Sequence, residues 1–121
     1  MAVAGGGALG ALARHGVNAA SLRLLGPAFP WGTLIVNVAG SFVMGLLIVW
    51  FSLREPVAPA LRAFLTVGVL GAFTTFSTFS LDVVTLVRDK AILEAGLYMA
   101  ASVSVAIGAL FAGMALARAL F

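Results

Sequence analysis

The sequence predicts an all-α membrane protein of four transmembrane helices, the third of them broken. Three observations predict it. The 121 residues are 63% hydrophobic and only 9% charged, whereas a soluble domain carries about a quarter charged residues. The apolar residues fall into four blocks parted by three short breaks, each block near the roughly 20 residues that cross a bilayer. Within the third block, Gly68 and Gly71 precede Thr74, Thr75, Ser77, Thr78 and Ser80, with Phe73, Phe76 and Phe79 between them. Glycine loosens a helix, and lipid offers hydroxyls and freed carbonyls no partner. Such a stretch belongs where protein or a polar cavity covers it, and broken helices often turn their ends or carbonyls to ions.

The chain has room for a single domain, residues 1–121. The spans are drawn at about 2–25, 31–53, 61–87 and 92–120. Gly26-Pro27-Ala28-Phe29-Pro30 makes the first break, because Pro30 fixes its own φ and biases Phe29 away from helix. Arg54 to Pro59 makes the second, and Arg88-Asp89-Lys90 the third. Breaks this short make neighbouring spans antiparallel and put both termini on one side. No basic flank precedes the first apolar run, so a cleaved signal peptide is not expected. There are no cysteines, hence no disulfide or thiolate metal site. The net charge of +3 comes from scattered residues, with no basic run to neutralise phosphates, so no nucleic-acid partner is expected.

Lys and Arg divide evenly between the two faces. Arg54, Arg62 and Arg118 lie with the termini, against Arg23, Arg88 and Lys90 opposite. A bias in this count sets orientation, so its absence points to a protein that inserts both ways up, the alternative being one oriented by something else, such as the order of insertion. The pairs Gly6/Gly10, Ser41/Gly45 and Ala109/Gly113 have the four-residue spacing of close helix packing. Helices packed so tightly leave little room between them, which places a solute path between subunits and implies an oligomer.

Arg14 and His15 fall in mid-span. A charge at that depth is a functional-site candidate, although Arg14 could snorkel in part toward one face. Asp82 follows the hydroxyl stretch and could pair with Arg14 or cap broken backbone. Asn37 is central in the second span, on or near one helical face with Thr33, Gly40 and Ser41. Its amide either ties helices together or offers donors to an anion. Tyr98, Ser102 and Ser104 add hydroxyls in the fourth span, and Tyr98 could instead anchor at the interface. Aromatic rings have positive edges, so Phe76 and Phe79 could contact a small anion.

Gly6 to Arg14, Gly32-Thr33-Leu34 with Asn37 and Gly40-Ser41-Phe42, and Gly71 to Ser80 together resemble the CrcB/Fluc fluoride channels of bacteria. The resemblance runs the length of the chain, and its third motif is the specific one. It implies a fluoride-selective passive channel in the cell (inner) membrane that lowers cytoplasmic fluoride, assembled as a dual-topology antiparallel homodimer. It implies a structural sodium ion at the two-fold axis, held by the backbone carbonyls of Gly71 and Thr74 from both subunits. The fluoride path would run past Asn37, Phe76 and Phe79, with Thr33, Tyr98 and Ser102 as polar contacts and Arg14 as an electrostatic element. Ala106 stands where relatives carry a further hydroxyl. No nucleophile-base constellation is present, so no enzyme is expected. The alternative is a small four-span coupled exporter of cationic compounds, which needs a deep carboxylate, here Asp82.

Overall fold

Each apolar block folds as helix, since a helix satisfies its backbone groups internally and lipid satisfies none. The computed structural model describes residues 1–121. Of its 97 backbone hydrogen bonds, 84 lie within helices. The first two helices are α1 (Ala2–Leu25) and α2 (Trp31–Leu53). The third span, Pro59–Arg88, is in pieces: α3 (Pro59–Arg62), a π-helical run (Ala63–Leu70), α4 (Gly71–Phe73) and α5 (Ser77–Arg88). The last is α6 (Ile92–Leu120). The third span starts at Pro59 and not at Leu61, because proline suits the first helical turn.

α2, the third span and α6 are long and apolar enough to cross a membrane. α1 is not among them: glycine, alanine and the polar Arg14, His15 and Asn18 dilute its hydropathy. It lies among the crossing helices all the same. It packs along residues 59–73 of the third span and against the start of α2. The chain is a multi-pass membrane protein.

Glycines set two close helix pairs. A Cβ on Gly6 would meet the Phe64 carbonyl oxygen and the backbone at Gly68, and one on Gly10 the Val69 carbonyl, so α1 and the π-helical run touch backbone to backbone. On the other side, α2 lies along α6. A Cβ on Gly45 would strike the Leu110 carbonyl, and one on Gly113 the Phe42 carbonyl. The expected small-residue seams are therefore real contacts within the chain.

The break itself is displaced from where the glycines suggest. Gly71 is helical, at φ −60° and ψ −38°. Gly68 is buried against Gly6 and serves packing. The helix stops at Thr74, which is extended at φ −88° and ψ 161°, and restarts at Ser77.

Candidate functional site

Asn37 holds the break open. Its Nδ2 donates to the Thr75 carbonyl at 3.0 Å, and its Oδ1 accepts from the Thr75 N–H at 2.8 Å. This two-point pairing fixes the amide orientation, since only Oδ1 can meet an N–H. One turn on, Gly40 gives Thr74 its place: a Cβ there would collide with Thr74 Cγ2. Thus α2 supplies both the clamp and the space for the extended residues.

The clamp has a consequence for carbonyls. In a continuous helix Thr75 would donate to Gly71. Here that N–H goes to Asn37, and Thr74 N–H goes to Leu70, so the Gly71 carbonyl accepts no backbone hydrogen bond. The Thr74 carbonyl likewise accepts none. The Gly71 carbonyl is free because Asn37 takes the Thr75 N–H, and the Thr74 carbonyl because Thr75 Oγ1 takes the Thr78 N–H; neither depends on a flexible Gly71.

Most hydroxyls of the stretch do not turn to a common interior. Thr74 Oγ1 donates to the Leu70 carbonyl at 2.9 Å, and Ser80 Oγ to the Phe76 carbonyl at 3.0 Å. Thr75 Oγ1 accepts the Thr78 N–H at 3.2 Å, across the first residues of α5. Ser102 differs. Its Oγ is buried and has no partner in the chain, which makes it a rare kind of group in a folded protein.

These parts line one open cleft of about 470 Å³, with Asn37, Gly71, Thr74, Phe76, Phe79 and Ser102 in its wall. Ala106 lines it one turn beyond Ser102, so the hydroxyls on that side end at Ser102. Phe76 is 77% exposed in the single chain. Its ring lies 5.6 Å from Phe79, which lies 5.1 Å from Tyr98.

Thr33, Tyr98 and Arg14 stand outside the cleft wall. Tyr98 is fully buried, contrary to an anchor at the interface. Its hydroxyl donates to Asp82 Oδ2 at 2.9 Å, and Phe29 meets its ring edge-on at 5.4 Å. Asp82 therefore neither pairs with Arg14 nor caps the break. Arg14 makes no ion pair. Thr33 is buried beside a second, polar cavity of about 340 Å³ that also reaches Asn18, Thr78 and Asp82. The Tyr98–Asp82 tie and the Gly40–Thr74 contact left no trace in sequence spacing. A hint for the Asn37 clamp was present, as the one deep amide beside a helix that must break.

The family model described as "CrcB-like protein, Camphor Resistance (CrcB)" matches residues 1–114. The chain belongs to the CrcB family. Among similar members, a protein of Rhodospirillum centenum named fluoride-specific ion channel FluC is 54% identical over 123 residues, 98% of this chain and 94% of its own length. One of Agrobacterium fabrum with the same name is 51% identical over 98% of this chain and 95% of its own. Another of Nitrobacter hamburgensis, named fluoride-specific ion channel FluC 1, is 49% identical over 99% and 95%. The CrcB match thus covers the first three spans, α6 as far as residue 114, and the whole cleft.

Proposed function

We propose that the chain is a fluoride-selective passive channel working as an antiparallel homodimer of two opposite orientations. The names of CrcB relatives at about half identity indicate the ion. The single observation that carries the reading for this chain is the buried, unpartnered Ser102 hydroxyl in the wall of the cleft that Asn37 shares. A donor left without a partner in the protein is suited to an anion that has shed its water. Asn37, in the same wall, keeps one amide N–H beyond its bond to Thr75. Phe76 and Phe79 add ring edges.

The cleft is open on one side, and the exposed Phe76 forms part of its rim. A second copy laid across it would close it into a path between subunits. The two free carbonyls fit a structural sodium ion: Gly71 and Thr74 present oxygen alone, from a rigid break, and a two-fold axis would double them to four. Such an ion would tie the subunits together and take no part in conduction. Arg14, unpaired, adds positive potential for an anion in α1. In the exporter alternative the carboxylate must face the path, and Asp82 is instead held by Tyr98 outside the cleft wall.

The test is fluoride efflux from liposomes holding the purified protein, with chloride as control. Fluoride loss without chloride loss is expected. Equal loss of both, or loss of neither, overturns the reading.

A further inference from the structure

The three basic residues on the terminal face are not equivalent. Arg62 pairs with Glu55 at 2.6 Å and lies over the Phe51 ring at 4.8 Å. Arg54 lies over the Trp50 ring at 5.9 Å. Trp50 and Arg54 mark this end as headgroup level, where tryptophan and arginine gather in membranes. Arg118, in the last turn of α6, pairs with no carboxylate and lies over no ring.

Arg118 instead sits in the wall of a cavity of about 330 Å³ between the last turns of α2 and α6. The rest of the wall is Ile48, Val49, Leu53, Met114 and Phe121, with Ser52 the other polar residue. Ile48, Leu53 and Phe121 are exposed, so the cavity opens outward. Favourable contact of Arg118 with the end of its own helix would need no cavity. An apolar slot below one unpaired guanidinium, at headgroup depth, has the chemistry of an amphiphile with an anionic head. The guanidinium fork matches a phosphate in two hydrogen bonds. Ser52 Oγ gives its proton to the Val49 carbonyl at 2.7 Å, leaving its oxygen to accept from a headgroup hydroxyl. No Asp or Glu side chain lines the cavity to receive the ammonium of a zwitterionic lipid.

We infer that this cavity binds one anionic glycerophospholipid, with its phosphate on Arg118 and the upper part of an acyl chain along Ile48, Val49 and Met114. The site stands apart from the cleft and does not depend on which ion the protein conducts.

The test is native mass spectrometry of the purified protein titrated with palmitoyl-oleoyl phosphatidylglycerol, and with the phosphatidylethanolamine of the same chains. Wild type should hold the phosphatidylglycerol about tenfold more tightly, the scale of one charge-assisted contact. Arg118→Gln should remove that preference. Ile48→Trp, which fills the slot and keeps the charge, should lower binding of both lipids about tenfold, and decides the matter if Arg118→Gln does not fold. Arg54→Gln, outside the cavity, should change binding less than twofold. Equal binding of the two lipids by wild type overturns the inference. So does an Arg54→Gln loss as large as that of Arg118→Gln, which would mean a diffuse basic face. Cross-linking of Ile48→Cys between copies in phosphatidylglycerol vesicles would also overturn it, since protein would then cover the slot.

Discussion

Asn37 commits its Oδ1 and one N–H to Thr75, so its role within the chain is structural, and the proposed fluoride path adds a second. Asn37→Asp keeps an acceptor for the Thr75 N–H but turns an oxygen toward the Thr75 carbonyl. Losing that donor should cost about 1–3 kcal/mol, read as a lower melting temperature of the purified protein. Fluoride efflux should fall about tenfold or more, because an ionised carboxylate would repel an anion at short range in a low dielectric. Unchanged efflux from a folded variant would remove Asn37 from the path. The two phenylalanines should separate by stability. Phe79 packs on Tyr98 and Phe76 is mostly exposed. Phe79→Ile should therefore lose two aromatic contacts, each worth about 0.5–1.5 kcal/mol, while Phe76→Ile should lose only the one with Phe79 and lower the melting temperature less. Both should slow efflux strongly if ring edges meet fluoride. Wild-type efflux from both would reduce the rings to packing.

Helix pairs divide the glycines into those that cannot change and those that can. Gly45→Ala sets a methyl against the Leu110 carbonyl at the α2–α6 seam. Carbonyls in a helix cannot yield, so this variant should give little monodisperse protein in size-exclusion chromatography. Gly96 of α6 has nothing within 4 Å, and Gly96→Ala should stabilise by up to about 1 kcal/mol through helix propensity. Gly71 is the informative case. A Cβ there meets only the Thr66 carbonyl, at an ordinary 3.5 Å. Within one chain the position tolerates a side chain. Gly71→Val should thus preserve helix content by circular dichroism yet weaken the dimer and its response to sodium. A sodium-responsive Gly71→Val dimer of full strength would move the cation elsewhere.

The cleft is open on one side in the single chain, and the proposed partner makes orientation matter at the scale of the whole molecule. Arg54, Arg62 and Arg118 balance Arg23, Arg88 and Lys90 across the membrane. The chain has no cysteine, so one added at the C-terminus gives a clean probe. It should label from both sides of the membrane. Labelling from one side alone contradicts dual insertion. Two lysines added beside Arg54 should force one orientation, and a dimer that needs both should then lose efflux.

The sequence by itself determined the membrane class, the helical blocks and the break in the third, because apolar length and absent charge leave a lipid-embedded chain no other fold. The resemblance to the CrcB channels, and not spacing within single helices, placed Asn37, Phe76, Phe79 and Ser102 in one path with Thr33 and Tyr98. Only the tertiary structure decided how these residues are arranged. The glycines named a loosened helix, yet the break lies at Thr74, where Asn37 takes the Thr75 N–H and Gly40 leaves room. Asp82 looked free for Arg14 and is held by Tyr98. Thr33 and Tyr98 stand behind the cleft and not in its wall. Each of these partners lies on another helix. Spacing along one helix fixes which residues share its face, and the hydrogen bond a polar group makes depends on which groups of the neighbouring helices the packing brings within reach.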